Sequence, residues 1–365
     1  MQKVKNFVKE YVPTFTLVSL ALALVALICT LIASVSYGFA DFVDSTVSTA
    51  YRFLMAKLTG IFPFSLFEII IYLAVPLVVF LVVAAFKLFR TKRARVRYAL
   101  TLLGVIFLIY TGYVTALSMS YNVTPLEKRL EVEYTEITED NLYETARLLL
   151  DEANSLAEGL EFNEYGSAVM PYSLDELSGK ISAAYKSLSE KHSFIKGFSS
   201  RVKPIATEGA MSSLGLLGIY TYYTGEANVN IHYPDFNLPF TTAHEFAHQR
   251  GIARENEANF VAFLVCLESD DDFIRYSGYL RLYEYVASSL YQTSKERYGE
   301  LLDGMSDAVR GELIADREVY DKYADTFIAE LSKKLNDMFL KMNGTEGVVS
   351  YGLVTRLAVA YYSEK

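Results

Sequence analysis

The sequence predicts a mainly α-helical chain: three N-terminal transmembrane helices, then an α-rich extracytoplasmic domain carrying a small β-hairpin. Three observations lead there: long uncharged apolar runs confined to the first third, a change of charge near residue 120, and three- to four-residue apolar spacing over most of the remainder. Residues 1–120 hold eleven Lys and Arg against four acids, a net +7, so with −9 overall residues 121–365 carry −9 − 7 = −16. The chain divides into a membrane domain, 1–120, and a second domain, 121–365.

Residues 14–37 (TFTLVSLALALVALICTLIASVSY) form an uncharged run longer than the about 20 residues a helix needs to cross a bilayer. That length, with no A-x-A site after it, favours an anchor over a cleaved signal peptide. Further spans cover 66–86, with Pro76 inside, and 98–119. Between them KLFRTKRARVR, residues 87–97, holds six positive charges and no acid. The positive-inside rule puts this loop, and an N-terminus bearing Lys3, Lys5 and Lys9, in the cytoplasm. Three spans then leave the large domain outside. Segment 40–62 has Arg52 and Lys57 among helically spaced apolar residues; it is expected to lie on the outer leaflet or to dock the large domain.

The acidic domain lacks the basic face that phosphate binding requires, which excludes nucleic acid as a partner. Two cysteines, Cys29 and Cys266, are too few for a disulfide framework or a Cys-rich zinc site. Thr138, with Asp140 and Asn141, offers N-cap chemistry for one helix, and another is expected over 173–190. Residues 211–233 (MSSLGLLGIYTYYTGEANVNIHY) read as a hairpin turning at Thr224-Gly225. Its second strand, Glu226, Ala227, Asn228, Val229, Asn230 and Ile231, is the expected sheet edge for docking an extended peptide by main-chain hydrogen bonds. Several more helices follow over 270–342, while 348–362 is too short and too interrupted by Arg356 to span a bilayer.

The chemistry concentrates in PFTTAHEFAHQRGIARENEANFVAFLVC, residues 239–266. Only four histidines exist, and His244 and His248 fall in one HExxH motif. Positions i and i+4 share a helix face, so both imidazoles reach one Zn²⁺, and Glu245 stands beside it as general base on a bound water. Thr241 and Thr242 are expected to cap the helix start, and Gly251 to end it in a left-handed turn that sends the chain back toward the metal. A third-histidine pattern fails because its last position is Arg254, which cannot ligate. Glu255 and Glu257 therefore compete to be the third ligand, with Glu255 favoured. The spacing is similar to the ExxxD pattern of glutamate-liganded zinc proteases, which implies that Asn259, one turn on from Glu255, is a neutral stand-in for the acid that steadies a ligand histidine there.

Most of the chain, and most specifically residues 214–264, resembles the bacterial domain-of-unknown-function 3810 family, whose members carry N-terminal spans and an HExxHQxGxxxExEANF-type stretch. The strand, connector, HExxH order is also similar to that of HtpX-like and BlaR-like membrane metallopeptidases. The resemblance implies a gluzincin-like, zincin-type fold with a glutamate third ligand. Asn259 departs from the acid those peptidases carry there. The expected activity is a membrane-anchored zinc metalloendopeptidase cutting a peptide or protein near the outer surface of the lipid bilayer. The alternative is a zinc-containing extracytoplasmic sensor that signals through a membrane partner protein.

Overall fold

The computed structural model describes residues 2–87, 91–207, 209–347 and 353–363, and it is mainly helical. Two helices, α1 (Gln2–Tyr11) and α2 (Thr14–Ala33), open the chain. Next come α3 (Tyr37–Val43), a π-helical turn (Asp44–Ser48), α4 (Thr49–Thr59), α5 (Leu66–Lys87) and α6 (Lys92–Ala116). Three of these, α2, α5 and α6, are long and apolar enough to cross a membrane, matching the predicted spans to within a few residues. Pro76 is accommodated inside α5. The pair α2 and α6 packs closely: Thr16 donates to the Leu100 carbonyl at 2.8 Å, and Gly104 lies where a Cβ would overlap Phe15. By contrast α5 is exposed almost all round, with only Ala84 buried.

Segment 40–62 is helical and packs against the large domain. Arg52 is fully buried, and Lys57 donates to the Ser199 carbonyl at 2.8 Å. The docking expectation is the one this packing supports.

Beyond α6 a 3-10 turn (Ser118–Asn122) and α7 (Leu126–Arg129) lead into α8 (Glu139–Ala157) and α9 (Leu174–Lys191). Both long helices start with reciprocal caps, Thr138 with Asn141 and Ser173 with Glu176. A small sheet follows, formed by β1 (Val202–Ile205), β2 (Gly218–Thr221) and β3 (Glu226–Asn230), with α10 (Ala210–Ser213) between the first two. The hairpin of β2 and β3 turns at Gly225, whose φ is +67°.

The strand order is β1-β3-β2, so the expected edge strand, Glu226, Ala227, Asn228, Val229 and Asn230, is the central one. It pairs in parallel with β1 (Val202 opposite Ala227) and antiparallel with β2 (Gly218 opposite Val229). Its residues are buried throughout, and Ile231 falls beyond the strand, partly exposed. An earlier segment occupies the edge assigned to it.

The helical core is completed by α11 (Asn237–Gln249), α12 (Glu255–Leu267), α13 (Asp272–Thr293), α14 (Lys295–Asp303), α15 (Asp307–Asp321), α16 (Phe327–Met342) and α17 (Leu353–Ser363). One apolar core joins α8, α9, α11, α12, α13 and α17, and includes the fully buried Tyr185, Phe246, Phe260 and Tyr276. The C-terminal apolar stretch proves to be a core helix, with Val354, Leu357, Ala358 and Val359 buried; residues 348–352 lie outside the described ones.

Candidate metal centre

The HExxH helix starts earlier than its threonines suggest. Asn237 opens α11, with Pro239 in the first turn, where the missing N–H has no intrahelical partner to lose. Thr241 and Thr242 are therefore inside the helix, and Phe236 precedes it without a side-chain cap. The far end turns as expected: Gly251 has φ +95°, and the Ile252 amide returns to the Ala247 carbonyl at 3.0 Å.

That turn brings Glu255, the first residue of α12, back over α11. His244, His248 and Glu255 each point one ligand-type atom into a common space, all within 4.8 Å of one another. The two Nε2 atoms are 3.0 Å apart, and Glu255 oxygens lie 3.3 Å from His244 Nε2 and 3.6 Å from His248 Nε2. His248 Nδ1 faces the Ile252 carbonyl at 2.8 Å, to which it donates, and this orients the ring with Nε2 toward the cluster. His244 Nδ1 has no hydrogen-bond partner among the described residues.

Electrostatics in this cluster are strong. Burial lowers the His248 imidazole, but the Glu255 carboxylate outweighs it and leaves the ring raised to about 9. Burial likewise raises Glu255, and the two imidazoles overcome it to hold the carboxyl well below its usual range. Glu245 behaves oppositely: burial pushes it up to about 7, against the pull of both histidines, and Glu255 adds to the rise. One oxygen of Glu245 has no hydrogen-bond partner among the described residues.

Glu257 faces away. It accepts the Leu126 amide at 3.1 Å and pairs with Arg254 at 2.7 Å, while Arg254 also donates to the Tyr121 and Val123 carbonyls. Asn259 is buried, its Nδ2 has no hydrogen-bond partner among the described residues, and it hydrogen-bonds neither imidazole. His232 sits just past β3, and His192 ends α9.

Two neighbours of the site carried little signal in the sequence. Gly218 on β2 lies so close to Glu245 that a Cβ would overlap the carboxylate and the Thr241 methyl. Tyr220, also on β2, turns its backbone N–H toward Glu245. Register explains this: the Asn230 amide meets the Leu217 carbonyl at 2.7 Å, so alternation turns the main chain of Ile219 and Thr221 toward β3 and that of Gly218 and Tyr220 outward. A glycine in a strand was the one available hint of close approach.

Fold and site together define a mainly helical protein with three apolar helices of membrane-crossing length and a His-His-Glu cluster on an HExxH helix. The family model described as Protein of unknown function (DUF3810) matches residues 45–359, and the chain belongs to that family. No curated protein and no solved structure matches it.

Proposed function

We propose that this protein is a membrane-anchored zinc metallopeptidase whose large domain faces out of the cytoplasm, with His244, His248 and Glu255 as metal ligands. The convergence of those three donors beside a buried Glu245 carboxylate carries the reading. Donors bound at about 2.0–2.1 Å in tetrahedral array stand about 3.3 Å apart. The spacings here, 3.0, 3.3 and 3.6 Å, bracket that value. Two imidazoles and a carboxylate suit zinc, and three protein ligands leave a fourth position open.

Zinc held there supplies a Lewis acid that polarises a scissile carbonyl and acidifies a water molecule. Glu245 takes the proton from the attacking water and delivers it to the leaving amine. The Glu245 carboxylate, buried beside the three donors, is placed for both transfers. The outward main chain of β2 at Gly218, next to Glu245, replaces β3 as the edge along which an extended peptide pairs. The basic segment 87–97 and the three spans support an extracytoplasmic placement, and hence a substrate near the membrane surface.

Metal analysis of the purified full-length protein should find close to one zinc per chain. Glu245→Gln should keep that zinc, and in cells it should let one membrane-proximal protein accumulate uncut. Equal processing by the variant would sink the mechanism, and a chain without zinc would sink the site. A second reading, a zinc-containing sensor acting through a membrane partner, draws on the seating of the Gly251 turn against Arg52 of α4. Co-purification of a cytoplasmic regulator, with no envelope protein altered by Glu245→Gln, is its signature.

A further inference from the structure

Helix α16 carries an apolar stripe that the rest of the protein leaves uncovered. Phe327, Ile328, Leu331, Leu335, Met338 and Met342 are exposed, Phe327 by 78% and Met342 by 80%. At 100° per residue they fall within one arc of about 100°. The side facing the protein is different: Leu340 is buried, and Ala329, Ser332 and Asn336 are half-buried. Lys334 and Lys341 border the stripe, paired one turn back with Glu330 at 2.6 Å and Asp337 at 2.7 Å. A continuous uncovered stripe of this size on a helix outside the candidate spans marks an interaction surface.

The position of α16 identifies what covers it. Its C-terminal end is tied to the end of α6, where the Tyr113 hydroxyl donates to Asn343 Oδ1 and the Tyr113 and Tyr121 rings meet Phe339 at 6.4 and 6.5 Å. Tyr113 also meets Tyr222 at 5.5 Å, and the adjacent Tyr223 meets Phe67, at the start of α5, at 6.3 Å. One run of ring contacts therefore joins the exit of α6, the start of α5 and the C-terminal end of α16. Exposed Ile61, Phe62 and Phe64, just before α5, extend the same apolar and aromatic band.

We propose that α16 is an in-plane membrane helix, its stripe buried among the acyl chains and glycerol groups of the leaflet on the large domain's side. This rests on the reading of α2, α5 and α6 as spans and is independent of the metal chemistry. Three lysines against Glu330 and Asp337 leave the helix at +3 − 2 = +1, so apolar burial dominates and the lysines place their ammonium groups at the headgroups.

The test uses the full-length protein in liposomes of phosphatidylethanolamine and phosphatidylglycerol, with Cys29 replaced by Ala and a fluorescent nitrobenzoxadiazole label on Leu335→Cys, Met338→Cys or Lys333→Cys. Labels at 335 and 338 should emit to the blue of the label at 333, be quenched several-fold more by shallow spin-labelled lipid, and resist iodide supplied on both sides of the bilayer. Equal iodide access at 335 and 333 would overturn the proposal. So would protection of 335 without lipid quenching but with energy transfer between chains, which would assign the stripe to a second copy. Alkaline carbonate extraction of the whole chain would overturn it differently, by removing the spans on which it rests.

Discussion

Gly251, in the turn that ends the HExxH helix, lies against the guanidinium of Arg52 so closely that a Cβ would overlap it and the Asp44 carboxylate. Arg52 is fully buried, held by Asp44 and Ser120 at 2.9 Å each and by the Ala116 carbonyl at 3.3 Å. The same turn presents the Ile252 carbonyl to His248 Nδ1. Packing around the C-terminal end of α6 therefore bears on the orientation of a candidate metal ligand.

A side chain at position 251 meets two obstacles. A left-handed φ costs a non-glycine residue about 1–3 kcal/mol, and Arg52 must also be displaced. Gly251→Ala is expected to lower the melting temperature and to weaken zinc binding by on the order of tenfold, in line with other losses of ligand support. Chelator competition on the purified protein reads the second effect. Unchanged zinc affinity would break the link between Arg52 and His248.

Glu255 and Glu257 separate cleanly by environment, and so should their variants. Glu255→Gln is expected to lose zinc. Glu257→Gln should retain about one zinc per chain while losing about 1–3 kcal/mol of stability, because the Leu126 amide and Arg254 lose a charged acceptor. Metal content and thermal unfolding on the two proteins decide this; the reverse pattern would reassign the third ligand.

The parts of this architecture legible in sequence are those set by local geometry. Helical spacing alone aligns His244 with His248, the Gly251 turn keeps Glu255 near, and apolar length alone marks α2, α5 and α6. Pairings between distant segments were not legible. Val202–Ile205 is only four residues long and contains Pro204, so nothing in it announces the strand that makes β3 central. Arg52 reads as a solvated charge until Ser120, far along the chain, is seen closing over it. Thr241 and Thr242 resembled caps, but Pro239 fits a first helical turn and lets α11 start at Asn237. Gly218 touches Glu245 across two elements, a contact that no local pattern encodes.

Glu226, expected to line a substrate edge, instead caps a candidate span. Its carboxylate accepts the Leu66 and Phe67 amides at 3.0 and 2.9 Å and pairs with Lys203, which also donates to the Thr59 carbonyl at 2.8 Å. Both side chains are buried, and burial lowers the lysine despite its partner. Removing one member leaves the other as an uncompensated buried charge, so Glu226→Gln or Lys203→Met should each cost about 3–5 kcal/mol. The double variant should cost less than the two added together, by unfolding in detergent. Additive losses would show that the pair acts only through separate contacts.

Glu312 on α15 should make stability fall as pH rises. It is fully buried, and one oxygen accepts the Ala168 amide at 2.8 Å. Burial pushes its carboxyl up to about 8, with Asp316 and Asp235 adding to the rise and the Ala168 amide and Ser167 hydroxyl opposing it. The group starts from an ordinary value of 4.5. Between those two values the folded chain holds a proton that the unfolded chain has released, so the unfolded state gains relative stability with each step upward in pH. Stabilisation is complete below the ordinary value and drains away toward pH 8, by at most about 1.4 kcal/mol per pH unit. Glu312→Gln keeps the shape and removes the titration. Its melting temperature should exceed that of the native protein increasingly from pH 5.5 to 8.5, and parallel curves for the two proteins would show that Glu312 stays ionised in the fold.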